Sequence, residues 1–169
     1  MQKISYNEYL EEAMAGLSKG AFLTVKAEGE INTMTIGWGS IGYIWAKPIF
    51  TVLVRESRHT YQLLAESGQF TVSIPLGEKM NEELNFCGTE SGRDYDKFKE
   101  CNLKTIPGKK VDVPLIKGCQ LHYECQVKFR QEMDVGKLKK DYQTKWYSED
   151  NQDDYHMLYF GEIVATYLE

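Results

Sequence analysis

The chain has 169 residues, 42% of them hydrophobic and 27% charged, with a net charge of −5; that is enough chain to bury a core as one domain spanning residues 1–169, without disulfide or metal staples. The acidic balance argues against nucleic acid as a partner, because nothing draws such a chain to a phosphate backbone. No run approaches the roughly 20 apolar residues of a membrane helix, and residues 1–20 lack the apolar centre of a signal peptide, so a cytoplasmic protein with no membrane partner is expected.

Residues 5–19 read as an amphipathic helix, with Ser5 and Glu8 at capping-box spacing, Tyr6, Leu10, Met14 and Leu17 on one stripe, and Gly20 at the end. Residues 21–27 follow as a strand, 28–30 as its turn and 33–38 as a second strand, which runs into a glycine- and aromatic-rich stretch, 39–47. Residues 49–54 are β-branched and apolar, a buried strand. A short helix over 58–66 ends near Gly68, 70–74 is a strand closed by Pro75, and 78–86 reads as helix. Residues 87–117 are loop-rich, with Pro107 and Pro114. Over 120–133, Leu121, Tyr123, Cys125, Val127 and Phe129 alternate with His122, Glu124, Gln126, Lys128 and Arg130; this is the pattern of a half-buried strand with His122 pointing outward. The polar connection 136–154 contains one basic run, Lys137-Leu-Lys-Lys140, that reads as solvated surface beside Asp134 and Asp141, and a short helix. Residues 155–167 form the last strand. Many strands, few short helices and no βαβα repeat predict a mainly β (α+β) fold, an antiparallel barrel with peripheral helices.

The signatures GxxxxGK[ST] and HExxH do not occur, and Gly37-Trp-Gly-Ser-Ile-Gly42, though spaced as GxGxxG, is only superficially glycine-rich, with no helix read after it. Cys87, Cys101, Cys119 and Cys125 form no CxxC, and strand alternation turns His122 away from Cys119 and Cys125, so core thiols are expected and no metal site. Two stretches can carry a ligand. Arg55-Glu-Ser-Arg-His-Thr60 leaves a strand and enters a helix, where free N–H groups, the hydroxyls of Ser57 and Thr60 and the Arg58 fork suit an anion; a simple helix cap with solvated arginines is the other reading. Asn32-Thr-Met-Thr-Ile-Gly-Trp38 offers polar edges to a flat heterocycle, or is a barrel strand and nothing more.

Those two stretches, the strand after Pro48, Glu66-Ser-Gly-Gln-Phe-Thr-Val-Ser73, Cys87-Gly-Thr-Glu-Ser-Gly-Arg-Asp-Tyr-Asp-Lys-Phe98 and His156-Met-Leu-Tyr-Phe-Gly-Glu-Ile163 occur in an order that resembles the FMN-binding flavin reductase-like family over about residues 15–165. The resemblance implies an FMN-binding split β-barrel, usually a homodimer with the cofactor near the subunit interface. It places Thr33, Met34, Thr35, Ile36, Gly37 and Trp38 along the isoalloxazine. It gives the phosphate to Ser57, Arg58 and Thr60, with Arg55 beside them, and the cover of the site to the loop of Ser91 and to Lys97. His156 is implied near the flavin as the catalytic residue, a hydrogen-bond donor titrating near neutral pH. The implied activity passes a hydride from NADH or NADPH to flavin or a downstream acceptor. The alternative is a flavoredoxin-like electron carrier that keeps FMN tightly bound and trades electrons with a redox protein partner. A flavin-storage module is a third reading. Tyr43 and Trp45 depart from the Thr/Ser-rich stretch that relatives often carry, which leaves the pocket's shape and the substrate open.

Overall fold

A computed structural model describes residues 1–77, 79–147 and 154–169. A short strand β1 (Gln2–Ile4) and helix α1 (Leu10–Lys19) precede the hairpin β2 (Ala21–Ala27) and β3 (Glu30–Ile36). A second hairpin follows, β4 (Gly39–Ile44) and β5 (Lys47–Arg55), then α2 (His59–Ser67) and β6 (Gln69–Ile74). After α3 (Asn81–Thr89), α4 (Lys97–Glu100) and the small pair β7 (Thr105–Ile106) and β8 (Leu115–Ile116) come the long strands β9 (Leu121–Glu132) and β10 (His156–Leu168), with α5 (Lys140–Trp146) between them.

The main sheet is hydrogen-bonded in the order β3-β2-β6-β9-β10-β5-β4, and every pair is antiparallel. β1 extends it against the far end of β10. The sheet curls around Phe50, Val52 and Val54 of β5, Phe70 and Val72 of β6, Tyr123 of β9 and Tyr159 of β10, with Leu17 of α1 and Leu63 and Leu64 of α2 filling the same core. Its two end strands, β3 and β4, are consecutive in the chain and joined by Gly37-Trp38, so the barrel is split at that junction. Gly161 makes the tight wrap possible: a Cβ there would meet the Phe70 ring at 2.5 Å and Cys125 Cβ at 2.9 Å, beside a register shift between β9 and β10. No helix among the described residues is long and apolar enough to cross a membrane.

The split barrel agrees with the sequence expectation, and four local features differ from it. The Ser5–Glu8 contact is made, Glu8 accepting from the Ser5 N–H at 2.6 Å, but Tyr9 takes a left-handed φ of 60° and the helix starts only at Leu10. The glycine- and aromatic-rich stretch 39–47, to which the pattern assigns no element, forms β4 and a tight turn in which Trp45 and Ala46 both have positive φ, the geometry that matches the twist of a hairpin. The predicted helix 78–86 is observed as Asn81–Thr89, and its predicted start at Glu78 and positions 148–153 of the polar connection lie outside the described residues.

The fourth is a correction to β9. His122 and Glu124 are fully buried, not outward-facing, because residues 109–116 fold over that face. The Glu124 carboxylate accepts the N–H groups of Lys109, Lys110 and Val111 at 2.8, 2.5 and 3.1 Å, and His122 Nδ1 lies 3.0 Å from Ser73 Oγ. Gln69, Thr71 and Ser73 of β6 likewise bond the backbone of Asp112, Pro114 and Ile116. His122 and Glu124 of β9 and Thr71 and Ser73 of β6 therefore face a covering segment of main chain instead of water, while Lys128 and Arg130 farther along β9 stay exposed. Burial pushes the His122 pKa down, with the Glu169 carboxylate working against it.

Candidate functional site

The split in the barrel opens a cavity of about 240 Å³. Met34, Thr35 and Ile36 of β3 and the Gly37-Trp38 junction form one side, Leu53 and Arg55 of β5 and His156 at the start of β10 another, and Trp146 at the end of α5 a third. The aromatic walls touch: the Trp38 ring centroid lies 4.9 Å from that of Trp146, edge to face, and 5.2 Å from that of His156. His156 and Arg55 are cross-strand partners, so the β5–β10 register sets a cation beside the imidazole.

A smaller cavity of about 100 Å³ adjoins the first and shares Met34 and Arg58 with it. It lies at the N-terminus of α2, where unpaired N–H groups and the helix dipole favour an anion. Ser57 just before α2 and His59 and Thr60 in its first turn line it, with Thr89 at the end of α3, Glu90 to Gly92 in the loop that follows, and Asn32 and Lys97 on either side. Gly92 is required by close approach, since a Cβ would fall 2.2 Å from Asn32 Oδ1. Arg58 Nη1 donates to the Gly88 carbonyl at 3.0 Å, and Lys97 Nζ to the Cys87 carbonyl at 2.8 Å. Lys97 is buried, and that burial lowers its pKa, with the charge of Arg58 a further contribution. Thr60 Oγ1 accepts from Asn32 Nδ2 at 2.8 Å, which leaves its hydroxyl proton to donate. A third space of about 560 Å³ opens beside this one past Asn32, Gly92 and Lys97.

The structure thus gathers most of the expected residues. Ile36, Gly37, Trp38, Arg55 and His156 line the larger cavity, Thr60, Ser91 and Lys97 the smaller, and Met34 and Arg58 both. Three are turned elsewhere. Thr33 is fully buried on the opposite face of β3, its hydroxyl 3.3 Å from the Leu23 carbonyl and 3.1 Å from Thr24 Oγ1, and it lines neither cavity. Thr35 borders the larger cavity, but its hydroxyl donates to the Leu84 carbonyl at 2.5 Å. Alternation explains both, because Asn32, Met34 and Ile36 share the other face. Ser57 borders the smaller cavity, yet its N–H and hydroxyl both go to the Asp154 carboxylate, at 3.0 and 2.9 Å. Arg55 donates to the carbonyls of Asp154 and Trp146, at 2.7 and 3.0 Å, and lies 5.2 Å from the Tyr147 ring centre. Asn32 opens the stretch 32–38, and its period-two alternation with Met34 places both on the cavity side of β3. Trp146, Tyr147 and Asp154 belong to a connection without periodicity, which gives sequence reading nothing to act on.

His156 is 8% exposed, and its pKa is lowered to about 4, first by burial and then by the Arg55 charge, with Asp154 opposing. The expected titration near neutral pH is therefore corrected: the ring is neutral there. Its Nδ1 lies 2.7 Å from the Tyr147 hydroxyl, which is also 3.0 Å from Met133 Sδ. A neutral imidazole nitrogen is a far better acceptor than a thioether, so the hydroxyl donates to Nδ1 and the ring proton resides on Nε2.

Residues 16–169 match the flavin reductase like domain. An uncharacterised protein of Archaeoglobus fulgidus is 33% identical over 106 residues, which are 63% of this chain and 59% of that protein, so the matched stretch spans less than two thirds of that relative. Among solved structures, flavoredoxin from Methanosarcina acetivorans shares 28% identity at a TM-score of 0.68, covering 89% of this chain and 68% of that one. The NADH:FAD oxidoreductase of Streptomyces globisporus shares the fold, at 18% identity and a TM-score of 0.67, over 89% of this chain and 74% of its own.

Proposed function

Because the chain belongs to the flavin reductase-like family, we propose that it binds FMN in the two adjoining cavities and passes a hydride from NADH or NADPH to flavin or to a downstream acceptor. The observation that carries this reading is the pairing of an aromatic-walled slot with a small cationic pocket at a helix N-terminus, joined through Met34 and Arg58. A planar ring system suits the first and a phosphate the second, where Arg58, Lys97 and the Thr60 hydroxyl converge. Bound FMN supplies the hydride-accepting chemistry itself. The chain's residues bind, orient and shield. Trp38 and Trp146 narrow the slot against water, Met34 gives it a soft apolar floor, and His156 offers an uncharged donor from Nε2. The anaerobic absorbance spectrum of the purified, FMN-loaded protein tests the reading. Rapid bleaching of the visible flavin band by NADH or NADPH supports it.

The 28% identity to a flavoredoxin favours a second reading, an electron carrier that holds FMN tightly. Bleaching by dithionite or a reduced protein partner, but not by a nicotinamide, would select it.

Two expectations follow for binding and assembly. FMN should bind in preference to riboflavin, and Arg58→Ala should weaken FMN by about 1.5–3 kcal/mol, the range for hydrogen bonds to charged groups. Titration of both flavins into parent and variant measures this, and equal affinity for the two flavins removes the phosphate assignment. The protein should also be a homodimer. Tyr43 and Trp45 at the β4–β5 turn are 65% and 58% exposed, and Trp45 packs against Phe129 and Phe160, an aromatic patch that a two-fold partner can cover. Light scattering that returns the 19.5 kDa of one chain at micromolar concentration refutes it.

A further inference from the structure

The aromatic slot and the anion cradle are followed by a third space. It measures about 560 Å³, more than twice the slot's 240 Å³, and begins where the cradle stops, sharing Asn32, Gly92 and Lys97 with it. Cavities of this size take drug-sized ligands. A mononucleotide with its ring in the slot and its phosphate in the cradle does not reach into it.

The walls of this space have the chemistry of a nucleoside site. Tyr95 stands beside it, 45% exposed and braced edge to face on the Phe86 ring at 5.7 Å. Ile31 and Phe98 continue that apolar side. A base presents a π-face that an exposed aromatic ring can cover. Glu30 and Asp94 bring carboxylates to the same space, acceptors that suit the paired hydroxyls of a ribose. Arg93 stands at the border with the cradle. It lines the third space, and its Nη1 donates at 2.8 Å to the carbonyl of Ser57, a residue of the cradle. That bond uses one of the several N–H donors of a guanidinium, and a second phosphate beside the first would meet the rest of the fork.

We propose that the third space binds the adenosine monophosphate half of a dinucleotide. The base stacks on Tyr95, the ribose hydroxyls donate to the carboxylates, and the phosphate meets Arg93 next to the phosphate in the cradle. Two dinucleotides carry this half. In FAD it would be joined to the flavin half that fills the slot and the cradle. In NADH it would lie beside a separately bound FMN. The proposal rests on the flavin reading above for the other two cavities and on Tyr95, Arg93 and the carboxylates for this one.

Calorimetric titration of the purified full chain and of Tyr95→Ala tests it. Tyr95 is the residue to change, because Arg93 also holds the Ser57 carbonyl. AMP should bind the FMN-loaded parent, and Tyr95→Ala should weaken it about tenfold, the scale of one lost base–aromatic stack. FMN, which lacks the adenosine, should titrate alike into both. Tyr95→Phe keeps the ring and should restore AMP binding. Two further titrations assign the source. FAD weakened by Tyr95→Ala relative to FMN gives the subsite to the flavin dinucleotide; NAD⁺ weakened on the FMN-loaded protein gives it to the nicotinamide dinucleotide. AMP that does not bind the FMN-loaded parent, AMP that binds Tyr95→Ala as well as the parent, or a variant that weakens neither FAD nor NAD⁺ overturns the proposal. Should the chain bind neither FMN nor FAD, the flavin reading fails, and AMP titrated into the flavin-free parent and Tyr95→Ala still decides the subsite.

Discussion

His156→Ala is expected to slow flavin reduction by NADH or NADPH roughly 10- to 1000-fold, consistent with losing one preorganised donor, while leaving FMN affinity nearly intact. The imidazole lines the larger cavity beside Trp38, whereas Thr60 and Lys97, proposed for the phosphate, line only the smaller one, so the two losses should separate. Tyr147→Phe should slow the reaction less. It keeps the ring that packs on His156 but removes the hydroxyl that holds the proton on Nε2. His122→Ala is an unsuitable control, because that side chain is buried against Ser73; an exposed change such as Lys139→Ala serves better. With its pKa near 4, His156 does not change charge between about pH 5 and 8, so it should contribute no step to the rate profile there. A step near the free-histidine value of about 6.5 that vanishes in His156→Ala would refute the neutral assignment. The same shift has a consequence for stability. The folded-state pKa lies below the unfolded one, so the unfolded chain binds the extra proton first as pH falls. The stabilisation is full above about 6.5 and is lost on descending toward 4, and denaturation midpoints should fall more in the parent than in His156→Ala over that interval.

The barrel was legible in the sequence because its strands are marked by apolar or alternating runs punctuated by glycine and proline. The site was legible where a helix start follows a strand, as at Arg58 and Thr60, since capping chemistry and anion binding use the same residues. What escaped has common causes. Thr33 was placed along the ligand with its neighbours because a motif was read as a continuous stretch, whereas a strand presents only every second residue to one face. Trp146, Tyr147 and Asp154 reach the site from a polar connection and are held there by Arg55 and Ser57, contacts spanning 91 to 99 residues of sequence between Arg55 or Ser57 and their partners Trp146 and Asp154. The aromatic hairpin at β4 was hidden because its turn uses Trp45 and Ala46 at positive φ, where Asn or Gly would have announced it.

The largest loss of stability is expected from Glu124→Ala, about 3–5 kcal/mol, the scale for removing one partner of a buried charged network. Read as an alternating strand, Glu124 belonged to a solvated face, and its loss would cost almost nothing. In the fold it is fully buried and accepts three main-chain N–H groups from Lys109, Lys110 and Val111, with no lysine or arginine in direct ion pair among the described residues. Removing the carboxylate leaves three donors facing a cavity, each worth about 1–3 kcal/mol if it finds no water. Against a total stability of about 5–15 kcal/mol, that is a large fraction. Glu124→Gln keeps the shape and one acceptor oxygen but sets an NH₂ against N–H donors, so it should recover only part of the loss. The damage should be confined to the covering segment. Amide exchange over residues 105–116 should accelerate well before that of β5 and β10, which carry the walls of the larger cavity. FMN affinity of the folded protein should then hold, since neither cavity takes a wall from residues 105–116. Chemical denaturation measures the first claim and exchange the second; a loss below about 1 kcal/mol would show that water reaches this carboxylate and that the strand's polar face is open after all.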